Sequence, residues 1–373
     1  MNFFRWILVL CLLLIAWYFI WSYTGKDYSQ LHSTPASINT TSSGANAGKG
    51  NLVGIQPFFT AADYCDQQHF YDALHPYFKK AQAAGWLQPK TIVVLPENTG
   101  SWLVFAHEKR EIYQDDSMRQ AVATVVNSNI FLFIRNLLST PADDKIKHAF
   151  VYMKAAAMVR IYTAVFSSLA KEFKVTIAAG SLVLPQPSID TRGRIRVKKG
   201  LLYYSAFLFN PDGKIGAQPV CRKLPEYKPE KETTAADTNT RIVVSTGAGT
   251  IVVTAGGTST LSPSGLKEAK AGVFLNGSDK IWDAVWWSQN SFGIPPEAIH
   301  KGEDKSALQQ FLINSLNAPK PASPLTGFKI SNGYAGNLWE ISYRNNLLVL
   351  QSDSLLAHAP VEKQGRIVNL WFR

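Results

Sequence analysis

Cysteine is scarce in this 373-residue chain: Cys11, Cys65 and Cys221 are all there are. A disulfide framework is excluded by that count. One Cys65 to Cys221 bridge in an oxidising compartment and two unpaired thiols in packed surroundings both stay open, because the choice rests on a distance that sequence does not carry. The seven histidines are dispersed from His32 to His358. With no HExxH and no His or Cys pair at ligand spacing, neither a metal site nor a cofactor is expected. No G-x-S-x-G elbow occurs, and Gly247-Ala248-Gly249 lacks the later glycine of a dinucleotide fingerprint. The formal net charge is +11, yet Lys and Arg are scattered. That excludes a nucleic-acid stripe while suiting anionic lipid or acidic ligands. There is no tandem repeat.

Long apolar runs are confined to one place. Trp6 to Trp21, WILVLCLLLIAWYFIW, is sixteen apolar or aromatic residues, roughly 24 Å as a helix against a hydrocarbon core of ~30 Å, with Phe3, Phe4 and Tyr23 at its edges. Arg5 and the amino terminus precede it, which favours a cytoplasmic N-terminus. Trp17, Tyr18, Phe19 and Trp21 stand where a signal peptide would carry a small-x-small cleavage site. Residues 1–22 are therefore expected to be a retained, single-pass signal anchor in the cell inner membrane. Residues 23–51, rich in Ser, Thr, Gly, Ala and Asn, read as a flexible linker. Residues 52–373, with most of the hydrophobic content, read as one α/β domain in the periplasm or an equivalent exterior.

Within that domain, strand and helix patterns alternate. LVGIQP from Leu52 is a short buried strand, and Phe70, Leu74 and Phe78 mark a helix. The strand Thr91 to Leu95 ends in Pro96-Glu97-Asn98, a carboxylate just past the carboxyl end of a buried strand, where chemistry is commonly placed. Ser117 to Leu138 and Lys147 to Phe173 are long helical patterns, the second delivering a strand at Val175 to Ala179. Leu201 to Asn210 alternates as a strand, Pro211 to Lys214 makes a hairpin turn, and Ile215 to Leu224 returns. Ile242 to Thr246 and Thr250 to Thr254 form a second hairpin around Gly247-Ala248-Gly249. A glycine-rich elbow and a helix opening near Ser262-Pro263-Ser264 follow, an arrangement whose backbone amides suit an oxyanion. Lys305 to Leu316 is an amphipathic helix. Four short strands close the chain: Gly327 to Ile330, Leu338 to Tyr343, Asn346 to Gln351 and Arg366 to Trp371, with Arg344-Asn345-Asn346 suggesting a hairpin.

The order LPENTGSW, AKEFKVTIAAGSLV, YYSAFLFNPDGKIGAQPVCRKL, GTIVVTAGGTSTLSPSGLKEAKAGVFLNGSD resembles the nitrilase, or carbon-nitrogen hydrolase, superfamily from about Asn51 to the C-terminus. In layout it is similar to the outward-facing domain of apolipoprotein N-acyltransferase, although one anchor replaces that family's multi-helix membrane body. The resemblance implies a four-layer αββα sandwich behind one N-terminal transmembrane helix, pairing as a homodimer through helical faces, and amide or nitrile cleavage or acyl transfer. Its substrate would be a small-molecule or lipid-linked amide or acyl compound.

The resemblance sets Glu97 at the general base, which takes the nucleophile's proton and returns it to the leaving amine. Lys223 falls at the lysine that stabilises the oxyanion, and Glu226 at the additional glutamate of some members. The family's cysteine is missing: Thr254 stands there, or Ala255 in a register slipped by one. Thr258 and Ser259, a turn onward, offer nothing better. A threonine hydroxyl needs strong activation where a thiolate does not. Cys221, two residues from Lys223 on an extended strand, shares its face and is an alternative nucleophile. Two functions follow: an amide-processing enzyme with an atypical nucleophile, or a pseudoenzyme that binds or scaffolds.

Overall fold

A computed structural model describes residues 2–31, 37–140, 144–216, 218–223, 241–255, 271–275, 328–344, 347–351, 354–358 and 363–372. Helix α1 (Asn2–Tyr23) opens the chain. Strands β1 (Ser37–Ser43), β2 (Asn51–Gln56) and β3 (Phe58–Thr60) precede α2 (Gln67–Ala83), and β4 (Thr91–Val94) follows it. Helices α3 (Met118–Ser128), α4 (Ile130–Leu138) and α5 (Lys145–Phe173) lead into the long strands β5 (Thr176–Ile189) and β6 (Ile195–Phe209), then β7 (Val220–Lys223). Next come β8 (Arg241–Thr246), β9 (Gly249–Ala255) and β10 (Ala271–Leu275). The C-terminal part supplies β11 (Phe328–Asn332), β12 (Ala335–Leu338), β13 (Ile341–Arg344), β14 (Leu347–Gln351), β15 (Ser354–His358) and β16 (Gln364–Trp371).

Among the described residues these strands form a seven-stranded sheet ordered β1-β16-β2-β4-β5-β6-β7, a six-stranded sheet ordered β15-β14-β11-β10-β9-β8, and a small sheet ordered β13-β12-β3. Strands β2, β4 and the start of β5 run parallel and are buried throughout, as strands covered on both faces must be. The alternation of their side chains makes the layers. Val53, Ile55 and Val93 enter one core with α2 and α5, including Phe70, Leu74, Phe78 and Phe166. Leu52, Ile92 and Val94 enter a second core, with Ile251, Val253, Ile330 and Val349 from the six-stranded sheet. The described layers are thus helix, sheet, sheet, a mixed α/β architecture. The segments of the expected fourth layer, from Ser262 and from Lys305 to Leu316, lie outside the described residues. Strands β9 and β10 are parallel neighbours.

Several expectations are corrected. The linker contributes an edge strand: Ser37 to Ser43 pairs with Gln364 to Leu370, and Asn39 Nδ2 donates to Gln364 Oε1 at 2.6 Å. A solvated edge strand held by backbone bonds has the polar composition of a tether, which is why the two read alike. The strands at Val175 and Leu201 are longer than their apolar cores, because β5 and β6 continue as a hairpin closed at Asp190 to Arg194. Arg344-Asn345-Asn346 is no hairpin, for β13 pairs with β12 and β14 with β11 and β15, in different sheets. Of the two alternatives left open for Cys65 and Cys221, the structure has the unpaired thiols: both are free and buried.

The pattern from Ser117 to Leu138 is two helices meeting at 87°. The bend sits at Asn129, whose Nδ2 donates to Val125 O at 2.8 Å and to Glu108 Oε1 at 2.9 Å. Lys154 Nζ, on α5, donates to the same carboxylate oxygen at 2.5 Å and to Ala106 O at 2.7 Å. Both charged groups are buried. Burial holds the Lys154 ammonium below the ordinary lysine range, and Glu108 opposes that shift.

A buried pair is most sensitive to losing one member. Lys154→Met is expected to destabilise the chain by ~3–5 kcal/mol, because it strands the Glu108 carboxylate. Adding Glu108→Leu should restore most of that loss. Urea unfolding of the full chain followed by circular dichroism measures both.

Candidate active site

Strand β4 ends because the chain runs into Pro96. Leu95 N still donates to Ala178 O at 3.0 Å, but Pro96 has no N–H to continue the ladder. The next residue, Glu97, is fully buried, at 0% exposure. Asn98 takes a left-handed conformation with φ 64°, which asparagine tolerates better than most residues. Thr99 Oγ1 donates back to Pro96 O at 2.6 Å, and Ser101 Oγ donates to Asn98 Oδ1 at 2.8 Å.

Strand β5 clamps this turn from the side. Asn98 N donates to Ser181 Oγ and Gly100 N to Ser181 O, each at 2.9 Å. Ser181 reaches that position because the register of β5 against β6 shifts between Ala178 and Ser181, a bulge that re-aims the strand. Gly180 sits in the bulge at φ +70°, and a Cβ there would lie 2.0 Å from Pro96 O. Tyr162 OH, from α5, donates to Gly180 O at 2.7 Å. The Glu97 turn is therefore held by β4, β5 and α5 together, so the backbone that carries the carboxylate is fixed by the core.

Lys223 is the last residue of β7, opposite Tyr203 on β6. Glu97 and Lys223 are borne by one sheet, with β5 and β6 between their strands. Thr254 lies on β9 in the other sheet, its backbone between Phe274 on β10 and Arg241 on β8. Strand β9 packs against β7 across the sandwich, and Ile251 and Val253 share the inter-sheet core with Val220. Lys223 and Thr254 are described by backbone position only. Glu226, Thr258, Ser259 and the helix opening at Ser262 lie outside the described residues.

The cysteines are described more fully. Cys221 pairs with Ser205 across β7 and β6 and is buried; burial pushes its thiol up to about 11, with a hydrogen bond to Ser205 pulling the other way. Cys65 belongs to the helix–sheet core. Burial raises its thiol further, and the nearby Asp66 and Asp63 add to the shift. At neutral pH both are thiols, a poor state for nucleophilic attack.

Two arrangements escape the sequence reading. Cys65, Asp66 and His69 converge, with potential ligand atoms within 4.8 Å of one another. Asp66 Oδ1 accepts from His69 N at 2.8 Å and lies 2.9 Å from His69 Nδ1, while His69 Nε2 lies 3.1 Å from Leu31 O. These contacts describe a helix N-cap whose imidazole nitrogens both have protein partners. The spacing C-D-x-x-H was its only sequence signal. The clamp of Tyr162, Gly180 and Ser181 was the other, marked by the small-residue run Ala178-Ala179-Gly180-Ser181 after a buried strand.

No family model matches the chain, and no curated protein matches it. Among solved structures, it is similar to an amidase from Nesterenkonia sp. AN1 carrying an acrylamide adduct at its active-site cysteine. That match has 11% identity over 86% of this chain and 91% of that one, with a TM-score of 0.46. A variant of the same amidase, from the nitrilase superfamily, matches at 11% identity over 86% and 90%, TM-score 0.46. An amidase from Nesterenkonia sp. matches at 11% over 89% and 93%, TM-score 0.43. Likeness at this level assigns this chain neither family nor activity.

Two outcomes follow from this geometry. Gly180→Ala is expected to cost at least ~1 kcal/mol from the left-handed backbone alone, with the Pro96 contact adding to it, and chemical denaturation measures the loss. Alkylation of Cys221 by iodoacetamide, tracked by peptide mass, is expected to accelerate about tenfold per pH unit from 7 to 10, since the thiolate is the reactive form and stays a minority below about 11. A rate that levels off near pH 8.5 would contradict the buried assignment.

Proposed function

We propose that this chain is a membrane-anchored, carbon-nitrogen hydrolase-like protein that engages small-molecule or lipid-linked amide or acyl substrates outside the cytoplasmic membrane, with Glu97, Lys223 and Thr254 as its site. The observation that carries this reading is the Glu97 turn. Natural chains bury a carboxylate this completely only at a cost, and here a left-handed asparagine and a left-handed glycine are both used to hold it at the carboxyl end of a parallel strand. The segments that resemble the carbon-nitrogen hydrolases, LPENTGSW among them, support the same placement. The outward location rests on the apolar run of α1, long enough to cross a bilayer, and on Arg5 ahead of it.

In the catalytic form of this proposal, the Thr254 hydroxyl attacks the amide carbonyl carbon while Glu97 accepts its proton. The Lys223 ammonium stabilises the resulting oxyanion. Collapse breaks the C–N bond, and Glu97 returns the proton to the departing amine. Water or an acceptor amine then takes the acyl group from the threonine ester. The burden falls on the nucleophile, since a hydroxyl is a far weaker donor than a thiolate unless strongly activated.

A second reading, a pseudoenzyme that keeps the pocket for binding or scaffolding, is favoured by a specific observation. Both cysteines of the domain are held as thiols by burial, so neither replaces the family's nucleophile at neutral pH. Pairing of two copies through helical faces belongs to either reading.

Intact-protein mass spectrometry after incubation with amide, nitrile and acyl-ester donors separates them. A wild-type adduct that vanishes in Thr254→Ala establishes the enzyme. No wild-type adduct, with one appearing in Thr254→Cys, establishes an intact pocket without a working nucleophile. No adduct in either removes the site assignment.

A further inference from the structure

Helix α4 is turned the wrong way round for a soluble protein. Its domain side buries Phe133 and Asn136, while its outer face carries Phe131, Ile134 and Leu138, which are 57%, 43% and 82% exposed. These positions are three and four apart and form one stripe, with Arg135 as the charged residue beside it. A surface helix ordinarily shows water its polar face. Ile146, in the first turn of α5, is 47% exposed and extends the apolar character across the α4–α5 junction. Outside α1, only two other large apolar side chains among the described residues are exposed, Leu201 and Val243.

The contacts of α1 say what covers this face. The Phe131 ring meets Tyr18 edge-on at 5.2 Å and stacks on Phe19 at 5.8 Å. Tyr18 OH donates to Asn127 O at 3.0 Å and accepts from Ile130 N at 3.2 Å. At the same end, Lys109 Nζ donates to Trp21 O at 2.5 Å and to Thr24 O at 3.1 Å, and lies 4.4 Å from the centre of the Trp21 ring. Aromatic residues at the end of a spanning helix mark the level of the headgroups. Helix α4 starts at that level and leaves α3 at 87°, a bend built in by Asn129 and the Glu108–Lys154 pair. Charge agrees with the placement. The β5–β6 arm carries exposed Arg192, Arg194, Arg196, Lys198 and Lys199 against one acid, Asp190, and Lys199 Nζ donates to Ser139 Oγ just past the end of α4.

We propose that α4 lies in the interfacial region of the leaflet from which α1 emerges, with Phe131, Ile134, Leu138 and Ile146 at the acyl boundary and the basic arm of β5 and β6 on anionic headgroups. The domain is then seated on the membrane at two points, α1 and α4, and its site is held at a fixed height above the lipid. This rests on α1 being a retained anchor. The occupant is the bilayer: the exposed face is shallow, apolar and rimmed by cations, the profile of an interfacial helix.

The test uses the full chain reconstituted in phosphatidylethanolamine–phosphatidylglycerol vesicles, with single nitroxide labels read by electron paramagnetic resonance for collisions with oxygen, enriched in lipid, and with a nickel chelate, confined to water. One label sits on native Cys11. In a Cys11→Ser background, another sits at Leu138→Cys and a third at Asp212→Cys, in the exposed turn between β6 and β7. Labels at 11 and 138 are expected to favour oxygen over nickel by at least fivefold relative to the label at 212. Nickel access at 138 with lipid burial at 11 overturns the interfacial helix and leaves the anchor standing. Nickel access at both overturns the anchor, and this proposal with it. Protection of 138 from both reagents marks a protein contact, such as a second copy, and also overturns it.

Discussion

The domain turns on a close approach at Gly180. A backbone carbonyl of the Pro96 turn occupies the space where any other residue would place a Cβ, and the left-handed φ at Gly180 lets β5 bulge beneath that turn. Ser181 then supplies two hydrogen-bond acceptors to the turn, and Tyr162 pins the bulge carbonyl from α5. These contacts join the parallel core of the large sheet to its covering helix at the point where Glu97 is presented. A substitution that loosened any of them would act on the carboxylate without touching it, because the turn has no freedom of its own.

Away from that point the sandwich is organised by two separate apolar cores. One lies between the large sheet and α2 and α5, and the other between the two large sheets. A buried lysine–glutamate pair, Lys154 with Glu108, sits at the bend between α3 and α4, so charge is placed where the chain must turn through a right angle. Helix α5 is long and apolar enough by composition to resemble a membrane span, yet Phe150, Tyr162, Phe166 and Leu169 are buried in the helix–sheet core. Helix α1 has no such cover from Phe3 to Trp17, where its large apolar side chains are exposed, and meets the domain at Tyr18, Phe19 and Trp21.

How much was legible in the sequence varied with the kind of signal. Buried parallel strands such as Thr91 to Val94 and the helix bearing Phe70, Leu74 and Phe78 announce themselves, because burial on both faces leaves a run of branched side chains and burial on one face leaves a helical period. The edge strand Ser37 to Ser43 did not, since its partner Gln364 to Leu370 lies more than three hundred residues away and its polar side chains match those of a linker. Asn129 gave no warning of a sharp bend, because the cause is Glu108, distant in sequence. Arg344-Asn345-Asn346 has turn chemistry, but turn chemistry does not say which sheet the next strand joins. At the site, Pro96-Glu97-Asn98 pointed to a carboxylate at a strand end, whereas the small residues from Ala178 to Ser181 gave no reading of their own, since small side chains suit many tightly packed strands. That the two meet is a tertiary fact.

The central claim is that Glu97 faces an amide or acyl ligand instead of serving only as a buried structural group. Saturation-transfer difference NMR of short-chain primary amides against the full chain, compared with Glu97→Gln, tests it most directly. The claim requires a saturable signal on the wild type that falls at least tenfold in Glu97→Gln while the melting temperature of the variant stays within a few degrees. An equal signal on both proteins, or none on a folded wild type, would make Glu97 a structural carboxylate and leave the site without its base.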